Sequence, residues 1–110
     1  MVLKVGIAGY GIVGKRRRDC VDRHPDMHLV AVCDKTFEYK GVFHDGVRYY
    51  PNYQALLTEE LDVLIVCLTN DINPDATIAG LKHGLHVFCE KPPSMNSEEM
   101  KQVIEIIVAW

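Results

Sequence analysis

The sequence has 110 residues, enough for one domain with a buried core. Its hydrophobic content of 48% and charged content of 25% are those of an ordinary globular protein. A net charge of −3 gives no reason to expect nucleic acid or a membrane as a partner. The chain opens on a strand pattern and has no apolar run of about eighteen residues. We therefore expect a cytoplasmic protein without signal peptide or membrane span, and the spacing of its cysteines and histidines predicts no metal site.

The first feature of the chain is a short apolar strand followed directly by a glycine turn. Residues 2–8 form the strand pattern, and Gly9, Gly11 and Gly14 follow in the spacing GxGxxG. In dinucleotide-binding proteins the first glycine allows a tight turn, the second lets the backbone approach a pyrophosphate, and the third lets the helix pack closely. The next helix adds amide donors and a partial positive charge. The pattern indicates a dinucleotide site; the alternative is a structural turn of another α/β protein.

The glycine turn leads into a predicted helix from Ile12 to about His24, where Pro25 ends it. Four consecutive basic residues, 15–18, lie near its start. On a helix they point in different directions, which favours a solvated face over a phosphate-binding patch.

A second apolar strand, residues 29–33, ends at Asp34, twenty positions after Gly14. An acid at this spacing is placed to accept hydrogen bonds from an adenosine ribose. Its carboxylate would repel a 2′-phosphate, so the sequence favours NAD, although Lys35 leaves NADP open.

The following segment, residues 35–45, has no clear period and predicts an irregular crossover with at most a short helical turn. Residues 47–50 predict a third strand, and Asn52 is placed to cap a short helix that runs through Leu57. Residues 63–68 are the most apolar run of the chain and predict a strand buried on both faces.

The next predicted helix has Asn73 as its N-cap and Pro74 as its first residue, and it ends at Gly84. Residues 86–89 predict a fifth strand. A final helix begins near Asn96 and carries an apolar face made of Met100, Val103, Ile104, Ile107 and Val108. This alternation of strands and helices predicts an α/β fold with a doubly wound parallel sheet between two helical layers.

The tripeptide Glu90-Lys91-Pro92 follows the fifth strand directly. Together with the glycine turn and residues 84–89, it makes nearly all of the chain resemble the N-terminal, NAD(P)-binding Rossmann domain of the Gfo/Idh/MocA oxidoreductases. The resemblance implies a hydride transfer between a nicotinamide cofactor and a sugar, cyclitol or nucleotide-sugar hydroxyl. It also implies that Lys91 is the catalytic residue, reaching both nicotinamide and substrate, with Glu90 and Pro92 shaping its position.

Ligands of parallel sheets bind at the carboxyl ends of the strands, so the loops at this edge form the predicted cofactor site. Its predicted residues are Gly9, Tyr10, Gly11, Ile12, Val13, Gly14, Asp34, Lys35, Leu68, Thr69, Asn70, Glu90, Lys91 and Pro92.

The chain departs from the family pattern in two places. Members often carry a Thr-Pro-Asn segment followed by a histidine, whereas this chain has Leu68-Thr69-Asn70 and then Asn73 at the histidine position. The family also has a second domain that holds the substrate. We expect residues 1–110 to form one dinucleotide-binding domain without that substrate domain, to self-associate through an exposed strand edge as a homo-oligomer, and to lack turnover alone.

Two other functions stay open on the same fold. The chain could be a non-catalytic module that only holds NAD, or a regulatory protein that senses a dinucleotide and binds a partner protein.

Overall fold

The computed structural model describes residues 2–68 and 72–89. Within these ranges the chain forms six strands and three helices. In chain order they are β1 (Leu3–Ala8), α1 (Ile12–Arg23), β2 (Met27–Cys33), β3 (Gly41–Val42), β4 (Arg48–Tyr50), α2 (Tyr53–Leu56), β5 (Val63–Val66), α3 (Asn73–Lys82) and β6 (His86–Cys89).

The strands form one sheet in the order β3-β4-β2-β1-β5-β6. All neighbouring strands pair in parallel except β3 and β4. From β1 the chain first builds toward β2 and β4 and then crosses over to β5 and β6. The reversal falls between β1 and β5, and such a switch point is where open α/β sheets bind ligands.

Helices cover the sheet on both faces, as the sequence predicts. On one face, Val21 of α1 packs with Val5, Ile7, Leu29 and Val32. On the other face, Leu56 of α2 and Ala76 of α3 join a second core whose sheet residues are Ala8, Ala31, Cys33, Leu64, Val66, Val87 and Cys89. The predicted doubly wound, three-layer Rossmann-type sheet is therefore confirmed.

Capping chemistry explains where the helices end. The side chain of Asn52 accepts a hydrogen bond from the amide of Ala55 at 2.8 Å, as predicted for a cap of α2. At the end of α3, Gly84 takes a positive φ of 76°. The amide of Gly84 donates to the Leu81 carbonyl at 3.0 Å and that of Leu85 to the Gly80 carbonyl at 3.1 Å. This pair of bonds is the Schellman motif that the glycine predicts.

Several predictions about elements are wrong in detail, among them the start of β2, which lies at Met27 and not at residue 29. The segment 35–45 contains a two-residue strand, β3, because the Phe43 amide donates to the Val47 carbonyl at 2.8 Å and closes an antiparallel turn onto β4. Helix α3 begins at Asn73, and Ile72 takes the N-cap position, because its carbonyl accepts the first helical bond, from the Ala76 amide. Asn73 is thus the first helical residue and not the N-cap. Strand β5 ends at Val66, two residues before the predicted end.

Within the described ranges no helix is both long and apolar enough to cross a membrane. His24 and His28 are four residues apart but lie after α1 and in β2, and the same ranges contain no group of three possible metal ligands. The final predicted helix lies outside the described residues.

Candidate dinucleotide-binding site

The glycine turn after β1 is held between the ends of β2 and β5. The amide of Gly9 donates to the Cys33 carbonyl at 2.8 Å. Gly9 has a φ of +97°, and a Cβ there would lie 2.4 Å from the Cys67 carbonyl oxygen. Both the backbone conformation and the close approach of Cys67, the residue after β5, therefore require glycine at this position.

The two other glycines of the turn have opposite surroundings. A Cβ on Gly14 would lie 1.9 Å from the Gly9 carbonyl oxygen, so Gly14 lets α1 pack directly on the turn. A Cβ on Gly11 would meet no atom of the described residues within 4 Å. Packing in the described part of the chain thus explains why positions 9 and 14 are glycine. It does not explain why position 11 is glycine.

Gly11 lies immediately before α1, a helix of 12 residues whose first turn carries no acidic side chain. The first amides of such a helix lack backbone acceptors, and its macrodipole places partial positive charge there. Ile12 and Val13 are 74% and 42% exposed beside these amides. An anionic group can therefore approach the backbone at Gly11 between two solvent-facing aliphatic side chains.

Asp34 lies beside the same turn, immediately after β2. Its Oδ1 accepts the amide of Tyr10 at 2.9 Å, and its Oδ2 accepts the amide and the hydroxyl of Thr36 at 3.1 and 2.5 Å. Burial alone would raise the pKa of Asp34. The hydrogen bonds from Thr36 and Tyr10, with the nearby charge of Lys35, outweigh burial and hold the pKa below its ordinary 3.8. Asp34 is thus ionised at neutral pH and oriented for accepting hydroxyl donors.

Thr36 is a site residue that the sequence reasoning missed. Its spacing of two residues from an aspartate is the signal that could have found it, because aspartate side chains commonly bond the backbone two residues ahead. Lys35, which lies between them, is exposed.

Asp34 also lines a cavity of about 270 Å³. It lies at the carboxyl edge of the sheet and is lined by Cys33, Asp34, Lys35, Pro51, Asn52, Tyr53, Gln54, Leu68 and Ile72. Burial raises the pKa of the Cys33 thiol to about 12, so the cavity wall carries no reactive thiolate. The largely apolar walls, with one ionised carboxylate at the edge, suit a flat heterocycle attached to a ribose.

The basic residues 15–18 do not form a simple solvated face, and two of them, Lys15 and Arg18, both reach Tyr10. Lys15 Nζ lies 5.7 Å from the centre of the Tyr10 ring, and the Arg17 guanidinium lies 5.9 Å from that of Phe88. The Arg18 side chain is only 20% exposed and donates to Tyr10 and Asp45. The interpretation as a solvated face is wrong for Arg18 because protein acceptors bind its guanidinium.

The comparisons with known proteins agree with this geometry. The family described as "Oxidoreductase family, NAD-binding Rossmann fold" matches residues 3–109 of the chain. The chain belongs to this Gfo/Idh/MocA family. The predicted resemblance is thus confirmed, and the domain is an NAD-binding Rossmann domain of an oxidoreductase family.

Several Gfo/Idh/MocA proteins are similar to it. Inositol 2-dehydrogenase of Salmonella typhimurium is 30% identical over 96% of this chain and 33% of its own length. D-glucoside 3-dehydrogenase of Escherichia coli is 32% identical over 94% of this chain and 31% of its own length. The chain therefore spans about a third of the length of these relatives.

Solved structures of the family share the fold. The myo-inositol 2-dehydrogenase of Lactobacillus plantarum gives a TM-score of 0.69 at 26% identity, covering 99% of this chain and 34% of that one. The myo-inositol dehydrogenase of Lactobacillus casei, solved with NAD(H) and myo-inositol, gives 0.72 at 22% identity, covering 100% and 34%.

The structure brings together part of the predicted site. Gly9, Tyr10, Gly11, Gly14 and Asp34 meet around the turn after β1, and Leu68 is half-buried in the wall of the cavity. Thr69, Asn70, Glu90, Lys91 and Pro92 lie outside the described residues. Their roles therefore stay predictions.

Proposed function

We propose that this chain is the cofactor-binding part of an NAD-dependent dehydrogenase that takes a hydride from the carbon bearing a hydroxyl of a sugar or cyclitol. One observation carries the proposal: the open approach to Gly11 at the start of α1 lies beside an ionised Asp34, which accepts the Tyr10 amide from the same turn. This juxtaposition supports one ligand that presents a pyrophosphate and a ribose together. Family membership supports a nicotinamide dinucleotide as that ligand.

The residues divide the binding task by their chemistry. The backbone at Gly11 and the first amides of α1 would bind the pyrophosphate, and Asp34 would accept hydrogen bonds from the adenosine ribose. The cavity between Asp34 and Leu68 would hold the adenine. The negative charge of Asp34 disfavours a 2′-phosphate, which supports NAD over NADP.

The cofactor, when bound, supplies the hydride acceptor. Lys91 is proposed to orient the substrate hydroxyl and to help remove its proton as the hydride leaves. The names of the relatives, inositol 2-dehydrogenase and D-glucoside 3-dehydrogenase, support a polyhydroxylated ring as substrate. We propose residues 1–110 as one domain of this enzyme and expect NAD binding without turnover from them alone.

Calorimetric titration of the chain with NAD tests the proposed binding. We expect saturable heat with one site, and a weaker response to NADP. Absence of both heat and a thermal shift at millimolar NAD would refute the proposal. NADH formation from myo-inositol or a glucoside by the 110 residues alone would contradict the expectation that they bind NAD without turnover.

Self-association and a cytoplasmic location complete the proposal. In the described ranges β6 is the last strand of the sheet, and its Phe88 side chain is 38% exposed. Phe88 is one of the residues that line an apolar cavity of about 390 Å³, together with Leu3, Met27, Val63, Ile65 and His86. An open edge with apolar surface favours pairing with a second copy. Light scattering should give a mass above 12.5 kDa that falls toward it in Phe88→Asp; a monomeric wild type would exclude the homo-oligomer.

A further inference from the structure

Tyr10 is tied to the rest of the protein at both its backbone and its side chain. Its amide donates to Asp34 at 2.9 Å. Its ring lies 6.3 Å from the Phe37 ring and 6.0 Å from the Phe43 ring, measured between centroids. Tyr10 stands between Gly9 and Gly11, the two residues whose backbones have the widest conformational freedom. Besides the backbone bonds of Gly9 and Tyr10, the Tyr10 side chain is therefore a further anchor of this part of the turn.

The hydroxyl end of Tyr10 is held by Arg18, two turns further along α1. Arg18 Nη1 donates to the Tyr10 hydroxyl at 2.8 Å, and Nη2 pairs with Asp45 in the loop between β3 and β4. Asp45 is itself fixed, because its other oxygen accepts the Val47 amide at 3.0 Å. A guanidinium has a planar, rigid array of donors, so one side chain links the helix, the glycine turn and the β3–β4 loop in a defined geometry.

Arg18 is poorly placed to contact a cofactor phosphate itself. Two of its nitrogens are directed to protein acceptors, and a third lies 3.4 Å from Asp22. Burial alone would lower the pKa of Arg18, but its bonds to Tyr10 and Asp45 raise it above the ordinary value. Arg18 therefore keeps its charge over the whole physiological range.

We propose that Arg18 is a positioning residue for the cofactor: by fixing Tyr10 against the β3–β4 loop, it holds the glycine turn in the conformation that exposes Gly11 to the pyrophosphate. The inference rests on the proposed NAD binding. A turn ordered in advance spares the ligand the conformational entropy of ordering it, so loss of the anchor should weaken binding without removing any contact to the ligand.

Variants of the three linked residues test this. Arg18→Met removes the whole link, Tyr10→Phe removes only its hydroxyl end, and Arg18→Lys keeps the charge opposite Asp45 but not the planar array of donors. Arg16→Met is the matched control. Arg16 is an exposed cation of the same helix, so this substitution removes the same charge without touching the link. Titrations with NAD and with adenosine, together with thermal unfolding, give the readouts.

We expect Arg18→Met to weaken NAD binding about fivefold or more, at the lower end of couplings between linked sites. Adenosine affinity should change little, because Asp34 keeps Thr36 and the cavity stays intact. Tyr10→Phe should weaken NAD in the same direction, and adding it to Arg18→Met should have no further effect, since both break one link. Arg18→Lys should fall between Arg18→Met and the wild type, and Arg16→Met should bind NAD as the wild type does.

Each contrary result has its own meaning. A wild type that fails to bind NAD overturns the proposed function and this inference with it. If the wild type binds NAD while folded Arg18→Met and Tyr10→Phe bind it equally well, only the inference fails. It also fails if Arg18→Met weakens NAD and adenosine equally, which indicates a general loss of structure, or if Arg16→Met matches it, which indicates simple attraction by positive charge. Should Arg18→Met not fold, Tyr10→Phe and Arg18→Lys decide by the same criteria.

Discussion

Alanine substitutions at Gly11 and Gly14 should have different effects, although both residues belong to one turn. We expect Gly14→Ala to lower stability and Gly11→Ala to lower NAD affinity. The added methyl group is the same, but its surroundings differ. At Gly14 it would lie 1.9 Å from the Gly9 carbonyl oxygen, so the helix would have to move by at least about 1.1 Å to reach the 3.0 Å limit seen for real contacts. At Gly11 no described atom lies within 4 Å, and the residue has a φ of −83°, which alanine adopts readily.

The magnitudes follow from these distances. Overpacking against fixed backbone costs about 3 kcal/mol or more, and the better helix propensity of alanine returns about 1 kcal/mol. Gly14→Ala should therefore lower the free energy of unfolding by about 2 kcal/mol, or the melting temperature by about 10 °C. Gly11→Ala should stay within about 0.5 kcal/mol of the wild type, because a lost N-cap preference and a lower unfolded-state entropy offset each other.

Binding should show the opposite order. A methyl group at Gly11 would enter the space proposed for the pyrophosphate, so Gly11→Ala should lose about tenfold or more in NAD affinity, and Gly11→Val more still. Urea unfolding and calorimetry on the same samples measure both quantities. Full NAD affinity in a folded Gly11→Ala would refute the proposed pyrophosphate position. Wild-type stability in Gly14→Ala would refute the tight packing of α1 on the turn.

Two further predictions concern charge. Asp34→Asn keeps an oxygen that can accept the Tyr10 amide but removes the negative charge, so the ratio of NAD to NADP affinity should fall about tenfold; an unchanged ratio would move the determinant to Lys35 or the loop after it. Glu59 accepts the Tyr50 hydroxyl at 2.9 Å and an Arg48 Nε donor at 2.5 Å, with its side chain 14% exposed. Burial raises its pKa, but the bonds from Arg48 and Tyr50 lower it below the ordinary 4.5. A lowered pKa contributes stability above the unfolded value that is lost as the pH falls, so Glu59→Gln should cost about 1 kcal/mol at neutral pH. That deficit should fade below pH 4.5, and a constant deficit in urea unfolding across the range would exclude the charge as its source.

Local chemistry explains why much of the fold could be predicted. Asn52 and Gly84 act through bonds to residues within five positions, so the sequence near each of them contains nearly all the information. The sequence predicts the strand 86–89 at its observed bounds, because this strand closely follows Gly84, the glycine that ends helix α3. By contrast, β3 is two residues long and depends on a turn that brings it beside β4, which no periodicity in so short a segment can indicate.

The candidate site divides in the same way. Gly9, Gly11, Gly14 and Asp34 could be predicted because a fixed spacing ties them to a turn, a helix start and the next strand end. The link between Tyr10, Arg18 and Asp45 could not, since it joins residues 8 and 27 positions apart whose meeting depends on how the β3–β4 loop folds back. In the sequence Arg18 is one of four equivalent cations, and only its tertiary partners distinguish it.

The glycine turn therefore combines three kinds of constraint that its sequence pattern does not separate. The fold requires glycine at positions 9 and 14, because neighbouring backbone occupies the space of a side chain. Within the described residues nothing requires it at position 11, which agrees with the pyrophosphate position proposed there. Tyr10, between them, has a side chain bound on several sides by the protein. We therefore expect the turn to be ordered before its ligand binds. Packing fixes two of its glycines, Arg18 fixes its tyrosine, and Gly11 meets no described atom. The Gly11, Gly14 and Arg18 variants measure these three contributions separately.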